Sequence, residues 1–337
     1  MKKICILFFL LLIIPASGCN AKNEASLFGR TMGTVYSIKV LISDRDDLEG
    51  LKKKIESRLD EINHSMSVFR KDSEISAFNA LVPHITMPVS QDFLSVLKTA
   101  KTIHHQTQGS WDGTVGPLVD LWGFGKTGNV RKIPSAEKIK ALLQQTGFQH
   151  IEIHPDNSVS KNMAGISLTL ASIAKGYGVD QIAQLIEQNG IENYLVEIGG
   201  EVFAKGLRID GKKWHIGINR PEKGAPYTEV YKVVPLENKA MATSGDYRNF
   251  FEQDGKIYSH ILDPKTGFPV SNQVVSVTII ADACTYADGL ATAVMVMGPQ
   301  KGLELINQLP DVEGLIITME PGGHLVDHFS DGFQAEP

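Results

Sequence analysis

The chain has 337 residues, a formal net charge of −5, 42% hydrophobic residues and three cysteines. An acidic balance without a basic tail or interleaved aromatic and basic residues argues against nucleic acid as a partner. No CxxC, HExxH, GxSxG or GxxxxGK[ST] pattern occurs, so zinc hydrolysis, serine esterase chemistry and P-loop nucleotide hydrolysis lose support.

Lys2 and Lys3 precede an apolar run, Ile4 to Ile14, shorter than the roughly 20 residues a bilayer span needs. Small residues, Pro15-Ala16-Ser17-Gly18, then lead directly into Cys19. This layout resembles a bacterial lipoprotein signal, with a plain secretory signal as the simpler alternative. The expectation is a leader over 1–18, lipid on Cys19, a tether over 19–27 and one domain over 28–337, held on the outward face of the cell membrane. Loss of Lys2 and Lys3 takes the charge from −5 to −7. Cys5 leaves with the leader and Cys19 carries lipid, so Cys284 has no disulfide partner and stability must come from a packed core.

Residues 31–42 suggest a strand with a glycine near its start. Asp46 to Met66 repeats Leu48, Leu51, Ile55, Leu59, Ile62 and Met66 at three- and four-residue steps, an amphipathic helix whose Lys52-Lys53-Lys54 belongs to a solvated mixed-charge face. Further helices are expected from Ser90 to a stop at Gly109 and over 135–145. The segment 109–128 is too rich in glycine for a helix yet carries Trp111, Trp122 and Phe124, which suits a packed loop or a ligand wall. Strands are expected at 149–153, 158–161, 193–198, 214–218, 228–234, 256–262, 273–280 and 314–319. Helices are expected over 172–188, 283–297 and 300–308. Hairpins and helices with few regular βαβ crossovers point to an α+β fold of mixed helices and antiparallel or mixed sheets, in two closely packed lobes.

Asp288 and Thr292 stand four apart in an apolar segment, on one face of a helix. A carboxylate and a hydroxyl are hard oxygen ligands suited to Mg²⁺. Helix capping and bonding to the preceding turn would equally explain them. His260 precedes an Asp263-Pro264 turn, and a ring nitrogen there could move a proton at neutral pH or be a satisfied structural histidine. Lys175 sits in the first turn of a helix whose free N–H groups favour an anion. Glu197 and Glu201 flank Gly199-Gly200, which reads as a tight turn.

Eight segments in order resemble the ApbE family, the FAD:protein FMN transferases. They are TMGT (31–34), SVFRKDSEISAFN (67–79), WDGTVGPLVDLWGFG (111–125), IAKGYGVD (173–180), YLVEIGGE (194–201), ATSGDYRNF (242–250), HILDPKTGFPV (260–270) and ADGLATAVMVMG (287–298). The resemblance implies Mg²⁺-dependent transfer of FMN from FAD to a threonine or serine hydroxyl of an acceptor protein, with release of AMP. It implies Asp288, Thr292 and Ser172 as Mg²⁺ ligands, with Ala171 contending for the last place. It points to Met32, Phe69, Ser110, Trp111, Asp112, Thr169, Lys175 and Leu262 for the flavin dinucleotide, and to His260 and Asp263 for catalysis. The chain departs from some relatives at Thr169, Lys175 and Ala291. Acceptors in this family present a DGxSGAT-like segment, as in flavin-bearing subunits of membrane redox or Na⁺-pumping complexes. Hydrolysis of FAD to FMN and AMP, or flavin binding without catalysis, are the alternatives.

Overall fold

The computed structural model describes residues 22–43, 47–125, 130–226 and 228–336. Cys19 and the leader expected over 1–18 lie outside the described residues. In chain order the strands are β1 (Asn23–Thr31), β2 (Thr34–Ile42), β3 (Met87–Pro88), β4 (Ile151–Ile153), β5 (Ser158–Lys161), β6 (Tyr194–Ile198), β7 (Glu201–Lys205) and β8 (Trp214–Asn219). They continue with β9 (Val230–Leu236), β10 (Lys239–Gly245), β11 (Phe250–Gln253), β12 (Lys256–Ser259), β13 (Val274–Ala281), β14 (Glu313–Met319) and β15 (Leu325–Phe329). The helices are α1 (Leu48–Met66), α2 (Glu74–Ala80), α3 (Gln91–Gln106), α4 (Gly116–Leu121), α5 (Ala136–Leu143), α6 (Ala174–Gln188), α7 (Cys284–Met297) and α8 (Pro299–Gln308).

Met32 and Gly33 have φ of 49° and 74°. Paired positive φ values make the two-residue turn whose twist matches a hairpin, so Thr31 pairs with Thr34 and β1 lies antiparallel to β2. The single strand expected over 31–42 is therefore a turn followed by a strand. The expected tether is also shorter, because residues 23–27 are the first half of the edge strand β1. Only Leu27 of that half is buried, which left too weak an alternation to read.

β1, β2, β6, β7, β10, β13, β14 and β15 form, in that order, one eight-stranded sheet with every pair antiparallel. Side chains alternate across it. Tyr194, Val196 and Ile198 of β6 meet α1 and α6 on one face, where Leu51, Ile55, Leu59, Ile182 and Ile186 fill the core. On the same face, farther along, α7 and α8 pack against β13 and β14. α2, α3 and the three-stranded sheet β3-β5-β4 lie outside this helix layer around Phe78, Phe93 and Trp111. The other face of the large sheet is covered by the β8–β9 hairpin through Trp214, Ile216, Ile218, Val234 and Leu236.

Helix α7 carries Asp288 and Thr292 and is buried nearly all round, as expected of a helix apolar on nearly every side. Its first N–H groups find their acceptor on another helix: Asp180 of α6 accepts from Cys284 N (2.7 Å) and Thr285 N (2.8 Å). This cap ties α7 to α6 in rotation as well as in position. Along α1, Lys53 pairs with Glu49 and Lys52 with Glu56 at the surface, as a solvated face requires. Among the described residues no helix is long and apolar enough to cross a membrane.

Candidate active site

A cavity of about 890 Å³ opens where α6, α7, the β6–β7 turn and the 245–264 segment converge. Ser110, Trp111, Asp112, Thr169, Ser172, Lys175, His260, Leu262, Asp288 and Thr292 line it, as does Ala171. Met32, Phe69 and Asp263 are not among the lining residues. Met32 sits in the hairpin turn against Gly178, and Phe69 is 75% exposed between α1 and α2. Asp263 closes its own turn, accepting from Lys265 N (2.9 Å) and Thr266 Oγ1 (3.2 Å).

The polar centre is Lys175, which reaches across the α6–α7 contact. Its Nζ lies 3.2 Å from Glu201 Oε1 and 3.8 Å from Asp288 Oδ1. Burial alone would push this ammonium down, but Asp288 and Glu201 beside it hold it above the ordinary lysine value. Glu201 is raised as well, to about 8: burial raises its carboxyl most, Lys175 lowers it, and Asp288 adds to the rise. With one cation between two carboxyl groups in a buried place, Glu201 holds its proton to higher pH than an ordinary carboxyl. Among the described residues Glu201 Oε2 has no hydrogen-bond partner, an uncommon condition for a buried polar atom.

Asp288 is fixed by the close packing of two helices at Gly176. Its Oδ2 accepts from Gly176 N at 3.0 Å, and Gly176 is the residue that lets α6 approach the carbonyl of Cys284. Thr292, one turn later, shares a hydrogen bond with Ser244 of β10 at 3.0 Å. These donors suit a hard divalent cation. Asp288 Oδ1 is within long ion-pair range of Lys175 only, Thr292 adds a hydroxyl, and all the donors are hard oxygens. Among the described residues no three carboxylate, imidazole or thiolate groups converge to hold a metal by themselves. Mg²⁺, which keeps waters and substrate phosphates in its shell and takes only one or two carboxylates, fits such a set.

Across the cavity, His260 Nδ1 lies 3.1 Å from the carbonyl oxygen of Asn249. A carbonyl only accepts, so the proton is on Nδ1 and Nε2 keeps its lone pair. Burial lowers the His260 pKa, which holds the ring neutral. The hairpin bearing it is fixed by Trp122, whose Nε1 donates to Gly267 O at 2.9 Å and whose ring stacks on Tyr258.

Trp111 donates from Nε1 to Ser172 Oγ at 3.1 Å, so one hydroxyl lone pair of Ser172 is already engaged. Asp112 spends both oxygens inside the protein. Oδ1 accepts from Thr114 N (2.8 Å) and Oγ1 (2.6 Å), and Oδ2 accepts from Phe148 N (2.8 Å). Its carboxylate therefore shapes the cavity wall. Glu201 is the functional candidate that the sequence reading passed over as turn chemistry. A signal existed, since a strand starting at Glu201 places it on the same face as Phe203. Asp180, Asn249 and the β8 residues at the cavity were also missed, because only tertiary pairing brings them in.

Comparison with known proteins agrees with this arrangement. The model of the ApbE family matches residues 32–316. The chain is 44% identical over 302 residues to the FAD:protein FMN transferase of Vibrio cholerae, covering 88% of this chain and 90% of that protein. The solved flavin transferase ApbE from Vibrio cholerae superposes with a TM-score of 0.84 at 41% identity, covering 93% of this chain and 98% of the other. The apo flavinyl transferase ApbE of Pseudomonas stutzeri gives 0.83 at 36% identity, over 92% and 95%. With the family model spanning most of its length and these relatives matching about nine-tenths of it, the chain belongs to the ApbE family of flavin transferases, the FAD:protein FMN transferases.

Proposed function

We propose that the reaction is Mg²⁺-dependent transfer of FMN from FAD to the hydroxyl of a threonine or serine on an acceptor protein. The observation that carries this reading is the Lys175–Asp288–Thr292 cluster, with Glu201 beside it, in the same cavity as a neutral His260. Lys175 supplies a fixed positive charge for a diphosphate bridge. Asp288 and Thr292, with an oxygen of Ser172 or Ala171, would hold Mg²⁺, which when bound offsets negative charge on the phosphates. Ser110, Trp111, Thr169 and Leu262 offer the mixed apolar and hydrogen-bonding wall a flavin dinucleotide needs.

His260 Nε2 accepts the proton of the acceptor hydroxyl. The hydroxyl oxygen attacks the phosphorus on the FMN side, a new P–O ester bond forms, and the bond to the bridging oxygen breaks. AMP leaves with the bridging oxygen and the electron pair, and His260 can return the proton to solvent. Asp263 keeps a smaller part, shaping the turn that follows His260.

The layout of residues 1–19 supports an outward-facing lipid anchor on Cys19, and such a location suits an acceptor in a membrane redox or Na⁺-pumping complex. Incubation of the chain from residue 20 onward with FAD, MgCl₂ and an acceptor fragment carrying a DGxSGAT-like segment tests the chemistry. Mass spectrometry should find FMN on the acceptor and chromatography should find AMP in equal amount. Free FMN with an unmodified acceptor would replace this reading with FAD hydrolysis.

A further inference from the structure

The cavity does not end at the polar cluster. Strand alternation puts Glu201 on the helix face of the large sheet and Val202 on the face covered by β8 and β9. Both line the cavity, so the cavity wraps around the strand ends at Gly199-Gly200. Those two glycines have φ of 64° and 105°, backbone that other residues rarely adopt. The second arm lies on the far face of the sheet from Asp288. Val35, Leu195, Glu197 and Thr243 form one wall.

The opposite wall is unusual. Residues 215–219 of β8 all line the arm consecutively, although their side chains alternate between buried and outward. Five successive residues reach one space only through the backbone edge of their strand. Among the described residues β8 pairs with β9 alone, and no backbone hydrogen bond joins 214–219 to any other segment. The outer edge of β9, by contrast, is bridged by Glu336 to Val233. A free strand edge is a template for another chain and is ordinarily covered or blunted. Here it is held inside a cavity continuous with the transfer site.

The geometry points to β8 as the docking edge for the acceptor: an extended segment of the acceptor protein adds beside β8 by backbone hydrogen bonding and carries its hydroxyl around Gly199-Gly200 to the phosphates. The inference rests on the transfer reading above and adds the direction from which the acceptor enters. The reaction itself demands a polypeptide ligand, and an exposed edge recognises polypeptide backbone with little regard to side chains. The dinucleotide keeps the helix-side arm, where Lys175, Trp111 and Asp288 are.

Hydrogen exchange on the full chain tests this directly. The probe is an acceptor fragment carrying a DGxSGAT-like segment whose terminal threonine is changed to valine, so that it binds without reacting. The expected result is slowing of the 214–219 amides by tenfold or more with this fragment, and no slowing with FAD and MgCl₂ alone. In parallel, Leu195→Trp, which fills the arm from the sheet side, should raise KM for the reactive acceptor at least tenfold while the Kd for FAD stays within twofold. Protection of β8 by FAD, or no protection by the acceptor, would overturn the proposal. Failure of the wild-type chain to modify the reactive acceptor would count against the chemistry instead, since the inert fragment still reports docking.

Discussion

Gly176 is where the catalytic geometry meets the packing of the fold. A Cβ placed there would stand 2.6 Å from the carbonyl carbon of Cys284, closer still to its oxygen, and 2.9 Å from Asp288 Cβ. Ordinary contact begins near 3.4 Å, and the obstacle is helix backbone, so Gly176→Ala must separate α6 from α7 by roughly 1 Å at this point. Overpacking of this kind costs about 1–3 kcal/mol. The shift also weakens the Gly176 N–H bond to Asp288 Oδ2, a hydrogen bond to a charged group worth about 1.5–3 kcal/mol. Part of that loss overlaps with the steric term, so a total of about 2–4 kcal/mol is expected, a fall of several degrees in Tm. The functional effect should be larger in proportion, because a displacement near 1 Å can cost about 100-fold in rate. Thermal unfolding and the rate of FMN appearance on an acceptor, measured below Tm, separate the two. Gly289→Ala is the control: its Cβ would meet mainly the Ile103 and Ile173 side chains, and it should lower Tm with a far smaller loss of rate. Full activity of Gly176→Ala with an unchanged Tm would show that this contact does not set the position of Asp288.

Asp288→Ala should reduce transfer by at least about 100-fold, the scale of a lost electrostatic stabiliser, while the buried Gly176 N–H left without its acceptor costs about 1–3 kcal/mol in urea unfolding. His260→Gln should lower kcat by about 10²–10⁴. In the wild type the acid limb of the rate profile should lie below the ordinary histidine value near 6.5, because burial lowers the His260 pKa and activity falls only as Nε2 gains its proton. A limb unchanged in His260→Gln would assign the proton elsewhere. Lys175→Met leaves Glu201 and Asp288 without their shared cation and should destabilise by about 3–5 kcal/mol. Adding Glu201→Gln should restore part of that loss, and strict additivity of the two substitutions would refute the coupling. Trp122→Phe should cost about 1–3 kcal/mol through the lost donor to Gly267 O, measured by chemical unfolding.

The six longer helices were legible because each writes its burial into the local pattern. The short α2 escaped, and α4 forms within 109–128, the stretch expected to be too rich in glycine for a helix, started by Pro117 in its first turn. α1 repeats its apolar residues at helical steps, and α7 is apolar on nearly all sides between Ala283 and Gly298. Asp288 and Thr292 could be placed on one face for the same reason, and both line the cavity. The strands β7, β10 and β15 escaped, since each is short and interrupted by small or polar residues whose burial depends on neighbours far along the chain. Lys175 and Asp288 are 113 positions apart, and nothing local announces that Asp180 caps α7 and so brings them within reach.

Glu201 shows most clearly why the remainder was hidden. Read locally, it follows two glycines and looks like the exit of a turn. In the sheet it is the first residue of β7, opposite Ile198, and only that register decides which face it occupies. A strand side chain changes face with every single-residue slip. Inserting one residue between Gly199 and Glu201 would therefore move the carboxylate toward β8 and put the inserted side chain opposite Ile198 and Lys175, leaving the ammonium with Asp288 alone. The two glycines do more than turn the chain: by fixing this register they assign the charged partner to the Lys175 arm and the apolar one to the β8 arm, so that a single cavity presents different chemistry on the two sides of one sheet.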